Sequence, residues 1–145
     1  MSDVLTEREM VVADILRILL IEDSNNDALL MARALKQGGF DPQITRVQTE
    51  ADMRAALAAG TFDVILTDWH LPAFSGLGAV KVAKEVKPEL PLIMLSGVVG
   101  EETAVEAMKA GVQDYVMKDK LMRLVPAIRR ELQEAQMRRD RTQTQ

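Results

Sequence analysis

Residues 64–68 of the chain read VILTD, an apolar run that ends in a carboxylate directly before the loop residues 69–72, WHLP. A short and nearly continuous run of Val, Ile and Leu is typical of a strand that is covered on both faces of a parallel sheet. Three further strand-like runs, at 18–21, 92–95 and 114–117, likewise precede polar residues. The sequence therefore predicts strands whose ends deliver polar side chains into loops.

Strand-like runs alternate along the chain with segments that repeat apolar residues at helical spacing. Gly38, Gly60 and Gly111 mark the ends of three helical segments, and Thr49 is suited to cap the start of one. This alternation predicts five βα units around a parallel sheet, which is a doubly wound α/β sandwich. The predicted strands lie near 16–21, 43–47, 62–67, 91–95 and 113–117, and the predicted helices at 26–37, 49–59, 76–86, 101–109 and about 121–139.

The composition restricts the class of protein. A length of 145 residues suits one domain with its own core, and 48% hydrophobic with 28% charged residues is typical of a soluble globular protein. No apolar stretch approaches the roughly 20 residues of a membrane span, and the acidic start of the chain is unlike a secretory signal. The absence of cysteine excludes disulfides and thiolate metal sites, and a net charge of -4 argues against a nucleic-acid partner. We therefore expect a cytoplasmic protein with no membrane partner, an N-terminal extension at 1–14, a folded domain at 15–138 and a disordered tail at 139–145.

The polar residues that follow the predicted strands are expected to meet at one edge of the sheet. Ligands of doubly wound sheets bind beyond the carboxyl ends of the strands, at a switch point in the strand order. The side chains that the sequence places at those ends are Glu22, Asp23, Asp68, Ser96 and Lys118. Their shared edge makes them a candidate site although they are far apart in sequence.

The charges of this set predict its chemistry. Three carboxylates at one spot repel one another, and a cation that neutralises them lets such a cluster persist. Oxygen ligands favour a hard ion, so we expect Mg²⁺, with Mn²⁺ as a substitute. A carboxylate can attack phosphorus and hold the phosphoryl group as an acyl phosphate. The metal, Lys118 and the hydroxyl of Ser96 would then stabilise charge on the phosphoryl oxygens.

Over about residues 16 to 138, the chain resembles a receiver domain of the two-component response-regulator family. The resemblance is carried by the acidic pair Glu22-Asp23 after the first strand, Asp68 after the third, Ser96 after the fourth and Lys118 after the fifth. It implies a flavodoxin-like, five-stranded parallel sheet in the order 2-1-3-4-5, flanked by five helices. It also implies a signalling domain rather than an enzyme, which catalyses only its own phosphorylation and dephosphorylation.

The resemblance also implies roles for individual residues at the metal site. Asp68 would accept the phosphoryl group from a phosphohistidine on a sensor histidine kinase or a histidine phosphotransfer protein. Asp23 and Asp68 would ligate Mg²⁺ directly, Glu22 would do so through water, and the backbone carbonyl of His70 would supply another ligand. Lys118 would bind the phosphoryl oxygens.

The family pattern further implies a switch. Ser96 would turn toward the phosphoryl group, and Tyr115 would change rotamer with it. The surface of the fourth helix, the fifth strand and the fifth helix would then carry the signal to a downstream protein that the sequence does not identify. A homodimer through this surface or through the terminal helices is also consistent with the pattern.

Three positions depart from the usual family pattern. Asp119 follows Lys118 where the family usually has proline, often with a cis bond, so we predict a trans peptide there because a non-proline cis bond costs about 3 to 4 kcal/mol. Glu22 stands where aspartate is more frequent. His70 lies two residues past the phosphoacceptor, where family side chains influence hydrolysis of the acyl phosphate.

Pro126, within the predicted last helix, is either a first-turn proline or a kink.

Other functions fit the sequence less well. A phosphatase with an aspartyl-phosphate intermediate typically has a second acid two residues after its nucleophile, and His70 occupies that position. A nucleotide- or flavin-binding module needs a glycine-rich or hydroxyl-rich phosphate loop after the first strand, whereas residues 22–27 read EDSNND. If the chain is a receiver domain, we favour a single-domain regulator. The alternative is the receiver portion of a larger hybrid histidine kinase or multidomain regulator.

Overall fold

The computed structural model describes residues 14–72, 74–97 and 101–144 of the chain. We number the elements in chain order. The strands are β1 (Asp14–Ile21), β2 (Phe40–Val47), β3 (Val64–Asp68), β4 (Leu92–Ser96) and β5 (Asp114–Met117). The α-helices are α1 (Asn25–Gln37), α2 (Glu50–Ala59), α3 (Gly76–Val86), α4 (Glu101–Ala110) and α5 (Leu124–Thr144), and a 3₁₀ turn (Lys118–Arg123) links β5 to α5.

The five strands form one parallel sheet in the order β2-β1-β3-β4-β5, which confirms the predicted fold class. Alternate residues of β1 face opposite layers of helices. Leu16, Ile18 and Leu20 pack into a core with α1 and α5, whereas Leu19 and Ile21 pack into a second core with α2, α3 and α4. The order places β1 and β3 side by side at the centre, so the loops that follow them meet at one edge.

Two element boundaries differ from the sequence-based predictions. β2 begins at Phe40 rather than near residue 43, because it pairs with the whole length of β1; its Pro42 is tolerated since β2 is an edge strand. The last helix begins at Leu124, after the 3₁₀ turn in which Lys120 has non-helical backbone angles. It continues to Thr144, so residues that we expected to form a disordered tail are helical.

The structure agrees with the local predictions for Pro126 and for the Lys118–Asp119 peptide bond. Pro126 lies in the first turn of α5, where its missing N–H is not needed. All peptide bonds of the described residues are trans, including the bond between Lys118 and Asp119. In the described part of the chain, no helix is both long enough and apolar enough to span a membrane. The N-terminal extension at 1–14 lies, except for Asp14, outside the described residues.

Candidate functional site

Asp68 is the last residue of β3, and its side chain is almost entirely buried, with 8% exposed. The backbone N–H of Trp69 donates to the carbonyl of Leu95 on β4 at 2.9 Å, which continues the sheet pairing one residue past the strand. The N–H of His70 donates to Asp68 Oδ1 at 3.3 Å. These contacts fix both the backbone and the carboxylate of Asp68 at the centre of the sheet edge.

Glu22 and Asp23 follow β1 and bring two more carboxylates to Asp68. One carboxylate oxygen from each of the three residues lies within 4.8 Å of the other two. Glu22 is fully buried, whereas Asp23 is exposed to solvent. The Glu22 N–H donates to the Val47 carbonyl at 3.1 Å, and Glu22 Oε1 accepts from the Ser24 N–H at 3.0 Å. The buried carboxylate is therefore held by the sheet and by the start of α1.

Lys118 reaches the same carboxylates from the end of β5. Its Nζ donates hydrogen bonds to Asp68 Oδ2 at 3.0 Å and to Asp27 Oδ2 at 2.7 Å. Nζ also lies 2.9 Å from Glu22 Oε2, close enough for an ion pair, although the angles there are not those of a hydrogen bond. The lysine is thus surrounded by three carboxylates, with 18% of its side chain exposed.

Burial and charge act in opposite directions on these groups. Burial alone would lower the pKa of the Lys118 ammonium, but close contacts with the carboxylates of Asp27, Glu22 and Asp68 together raise that pKa above its ordinary value. Burial raises the pKa of the Glu22 carboxyl; the ion pair with Lys118 and the hydrogen bond from the Ser24 N–H oppose this rise, while the Asp68 charge adds to it. Lys118 is therefore firmly protonated, whereas the surroundings of Glu22 disfavour the ionised form of its carboxyl group.

The donor set fits a hard divalent cation. Glu22 Oε2 is buried without a hydrogen-bond partner among the described residues, and the neighbouring donors of Asp23 and Asp68 are also carboxylate oxygens. Buried polar atoms nearly always have partners, and the Lys118 ammonium at 2.9 Å gives this oxygen an ion pair without a hydrogen bond, which leaves it available to a second cation. Carboxylate oxygens suit Mg²⁺, and two positive charges would relieve the repulsion among three acids.

The other predicted site residues lie at or near this edge. Ser96 ends β4, is fully buried and pairs in register with Met117, the residue before Lys118. Tyr115 is half-buried on β5 and packs against the core that β1 shares with α2, α3 and α4. The side chain of His70 is exposed, so its described contact with the site is made by its backbone.

Sequence reasoning missed two residues of the site. Asp27, in the first turn of α1, contacts Lys118 directly. Arg46, near the end of β2, donates from Nη1 to the carbonyl oxygens of Glu22 at 3.1 Å and Asp23 at 3.4 Å. The position of Asp27, three residues after the predicted cap Ser24, was visible in the sequence, but the direction of its side chain was not.

A groove of about 560 Å³ opens beside the acidic cluster. It gives solvent access to Asp23 and runs along the loop that follows Asp68. The residues that line it are Asp23, Trp69, His70, Leu71, Pro72, Ser75, Gly76 and Leu77. The cluster is therefore open to solvent on the side of the β3–α3 loop.

Comparison with known proteins gives a consistent result. The family model of the response regulator receiver domain matches residues 18–129. Among curated proteins, a putative NtrX-like response regulator of Rickettsia felis is 34% identical over 115 residues, which cover 76% of this chain and 24% of the relative. The transcriptional regulatory protein ZraR of Salmonella typhimurium is 28% identical over 101 residues, covering 70% of this chain and 22% of the relative.

A solved structure shows the same likeness over most of the chain. NtrX from Brucella abortus superposes with a TM-score of 0.80 and 26% identity, covering 90% of this chain and 30% of that protein. The chain thus spans about a quarter of the length of these curated relatives. The likeness is confined to the part of each relative that corresponds to the sheet and helices described above.

Proposed function

Because this chain belongs to the response regulator receiver domain family, we propose that Asp68 accepts a phosphoryl group from a phosphohistidine of a sensor histidine kinase or a histidine phosphotransfer protein. The observation that carries this proposal is the environment of the Asp68 carboxylate. It lies within 4.8 Å of carboxylate oxygens of Glu22 and Asp23 and 3.0 Å from the Lys118 ammonium. Asp68 thereby combines a carboxylate cluster suited to a cation with a neighbouring positive charge.

In the proposed reaction, an oxygen of the Asp68 carboxylate attacks phosphorus as the bond from phosphorus to the donor imidazole nitrogen breaks. The electron pair of that bond returns to the imidazole nitrogen, and a ring nitrogen takes up one proton from solvent, so that the donor leaves as neutral imidazole. The transition state is stabilised mainly by positioning of the reactants and by positive charge placed beside the negatively charged equatorial oxygens. Lys118 provides one such charge, and the hydroxyl of Ser96 provides a further hydrogen-bond donor in the proposed scheme.

The residues proposed to hold Mg²⁺ are Asp23 and Asp68 directly, Glu22 through water, and His70 through its backbone carbonyl. When bound, Mg²⁺ would neutralise the carboxylates and the incoming phosphoryl oxygens; Mn²⁺ is a suitable substitute. The close approach of one carboxylate oxygen from each of Glu22, Asp23 and Asp68, with Glu22 fully buried, supports a cation at this position. The family as a whole is associated with Mg²⁺.

The proposed output is a change of the surface formed by α4, β5 and α5, in which Ser96 and Tyr115 act as the switch. We place this reaction in the cytoplasm, where a kinase would supply the phosphohistidine. A homodimer through the same surface or through the terminal helices is part of the proposal.

A second candidate is the receiver portion of a larger regulator or hybrid kinase, since the curated relatives extend well beyond the matched region. Some relatives are named as transcriptional regulators, so the expected absence of a nucleic-acid partner stays a prediction.

One experiment tests the central step. Trp69 is the only tryptophan and adjoins Asp68, so its emission should change with millimolar Mg²⁺ and again with acetyl phosphate or beryllofluoride. Asp68→Asn should abolish the second change and the acid-stable, base-labile phosphoryl adduct. Asp41→Asn is a matched control, because Asp41 is an exposed aspartate near the start of β2, at the opposite end of the strands. A wild-type protein that binds no Mg²⁺ and forms no adduct would overturn the proposal.

A further inference from the structure

Asp27 makes the shortest of the contacts to Lys118, yet it lies outside the group of three carboxylates that face one another. Its Oδ2 is 2.7 Å from Nζ, compared with 2.9 Å for Glu22 and 3.0 Å for Asp68. Asp27 therefore approaches the lysine from the side of α1, and the cation cluster is formed by other residues.

The start of α1 explains why the Asp27 carboxylate points to the lysine. Ser24 caps the helix, and its Oγ accepts from the Asp27 N–H at 3.1 Å. In a complete capping box, the acid at this position would accept the N–H of the cap residue in return. Here Glu22 Oε1 takes the Ser24 N–H instead. The Asp27 carboxylate is thus released from its usual local partner while its backbone stays fixed.

The ammonium of Lys118 has three N–H groups and three carboxylates within 3.0 Å. Once Asp68 carries a phosphoryl group, the N–H that now points to Asp68 has to turn to a phosphoryl oxygen. A lysine has a flexible four-carbon stem, so holding its head through two other contacts reduces the freedom that would be lost in that step.

We propose that Asp27 is a positioning residue for phosphoryl transfer, which anchors Lys118 while the lysine exchanges Asp68 for a phosphoryl oxygen. This inference rests on the proposed function of Asp68. Asp27 also brings a negative charge toward an anionic group, and that repulsion acts in the opposite direction. Removal of Asp27 should weaken the binding of a phosphoryl group or its analogue if Asp27 anchors Lys118. It should strengthen that binding if the repulsion dominates.

The test measures the affinity for beryllofluoride with saturating Mg²⁺, read from Trp69 emission. We expect Asp27→Ala to weaken this affinity about tenfold, and Asp27→Asn to recover part of the loss because its amide oxygen still accepts a hydrogen bond. In a Lys118→Met background, Asp27→Ala should change the affinity by less than about twofold, because the two residues act through one contact.

Asp52→Ala is the matched control. Asp52 occupies the same position in α2 as Asp27 does in α1, and its N–H donates to the cap Thr49 Oγ1 at 3.1 Å. This variant therefore removes an acid from a helix first turn that makes no described hydrogen bond or ion pair with the lysine. We expect its beryllofluoride affinity to equal that of the wild type.

A second readout does not involve metal or phosphate. In Mg²⁺-free protein, the ¹⁵N-labelled ammonium of Lys118 should give an NMR signal protected from water exchange, which Asp27→Ala broadens or removes and Asp52→Ala leaves intact. Tighter beryllofluoride binding in both Asp27 variants, unchanged binding, or an effect that persists in the Lys118→Met background would each overturn the inference. A wild type that fails to bind beryllofluoride overturns the proposed function itself, which separates the two failures.

Discussion

Arg46 donates from Nη1 to the backbone carbonyl oxygens of Glu22 at 3.1 Å and Asp23 at 3.4 Å, the two acidic residues of the loop that follows β1. The edge strand β2 thereby holds the loop that carries two of the three clustered carboxylates. The main-chain hydrogen bond from Glu22 to Val47 acts at the same point. Arg46 is exposed, so its contribution comes from these two acceptors rather than from burial.

We expect Arg46→Ala to lower the free energy of unfolding by about 1 kcal/mol, because a charge-assisted hydrogen bond to the loop is lost. Arg46→Lys should recover less than half, since the two N–H groups of Nη1 are held in the rigid guanidinium plane and an ammonium on a flexible stem does not reproduce that geometry. Urea unfolding in EDTA measures both. Arg33→Ala, on an exposed position of α1, is the control and should be near neutral. Equal losses in the Arg46 and Arg33 variants would contradict the role of Arg46.

Gly76, the first residue of α3, lies against the loop that follows Asp68. A Cβ at this position would come within 2.9 Å of both the Asp68 carbonyl oxygen and the Trp69 Cα. Both are backbone atoms, so they can yield only by moving the segment that carries the Asp68 carboxylate. Gly76→Ala should therefore destabilise the protein by about 2 kcal/mol and shift the emission of Trp69.

The matched control is Gly60→Ala. A Cβ at Gly60 meets its nearest atoms at 3.4 Å, which is ordinary contact, and the backbone there is extended. Its free energy of unfolding, measured in the same urea titration, should stay within about 0.5 kcal/mol of the wild type. A Gly76→Ala protein as stable as this control would show that the loop accommodates the added methyl group.

Lys118 is the cation that faces buried Glu22, and its removal should make the protein depend on divalent metal for stability. Lys118→Met leaves the Glu22 carboxylate without its ion pair, which should cost about 3 kcal/mol in EDTA. Mg²⁺ would then stabilise this variant more than the wild type, because ligands that bind only the folded state raise its stability.

Thermal unfolding with EDTA and with millimolar Mg²⁺ measures this difference. Lys120→Met, at an exposed position of the same 3₁₀ turn, is the control and should respond to Mg²⁺ like the wild type. A loss of stability in Lys118→Met that Mg²⁺ does not reduce would argue against a cation site at these carboxylates.

Glu131 is buried on α5, with 3% exposed, and its Oε1 has no hydrogen-bond partner in the described part of the chain. Burial raises the pKa of the Glu131 carboxyl, the charges of Glu134 and Asp114 add to the rise, and Arg130 opposes it. Between the ordinary value near 4.5 and the raised value, the folded state binds more protons than the unfolded chain. The contribution of this group to stability therefore falls as pH rises through that window.

We expect Glu131→Gln to gain stability relative to the wild type as pH rises from 4.5, until the carboxyl is fully ionised in the folded protein. Urea unfolding between pH 4 and 8 measures the difference. Glu134→Gln should move the transition to lower pH, because it removes one of the charges that raise the pKa of Glu131. A stability difference that is independent of pH would mean that Glu131 has an ordinary pKa.

The sequence by itself determined the sheet and the location of the site. Strands β3 and β4 are buried at every residue, and continuous apolar runs of this kind leave little ambiguity about their identity. Ser24 caps α1 as its position after the acidic pair predicted, which leaves Glu22 and Asp23 at the sheet edge. Because parallel strands end at one edge, local patterns were sufficient to bring Asp68 and Lys118 together.

Only the tertiary structure decided which further charges complete the site. Asp27 meets Lys118 across 91 positions in sequence, and Arg46 meets the acidic loop from a neighbouring strand. The early start of β2 depends on pairing with β1, and the burial of Glu131 depends on packing of α5. The physical reason is that hydrophobic periodicity is a local signal, whereas the direction of a charged side chain depends on partners that folding brings within 3 to 4 Å.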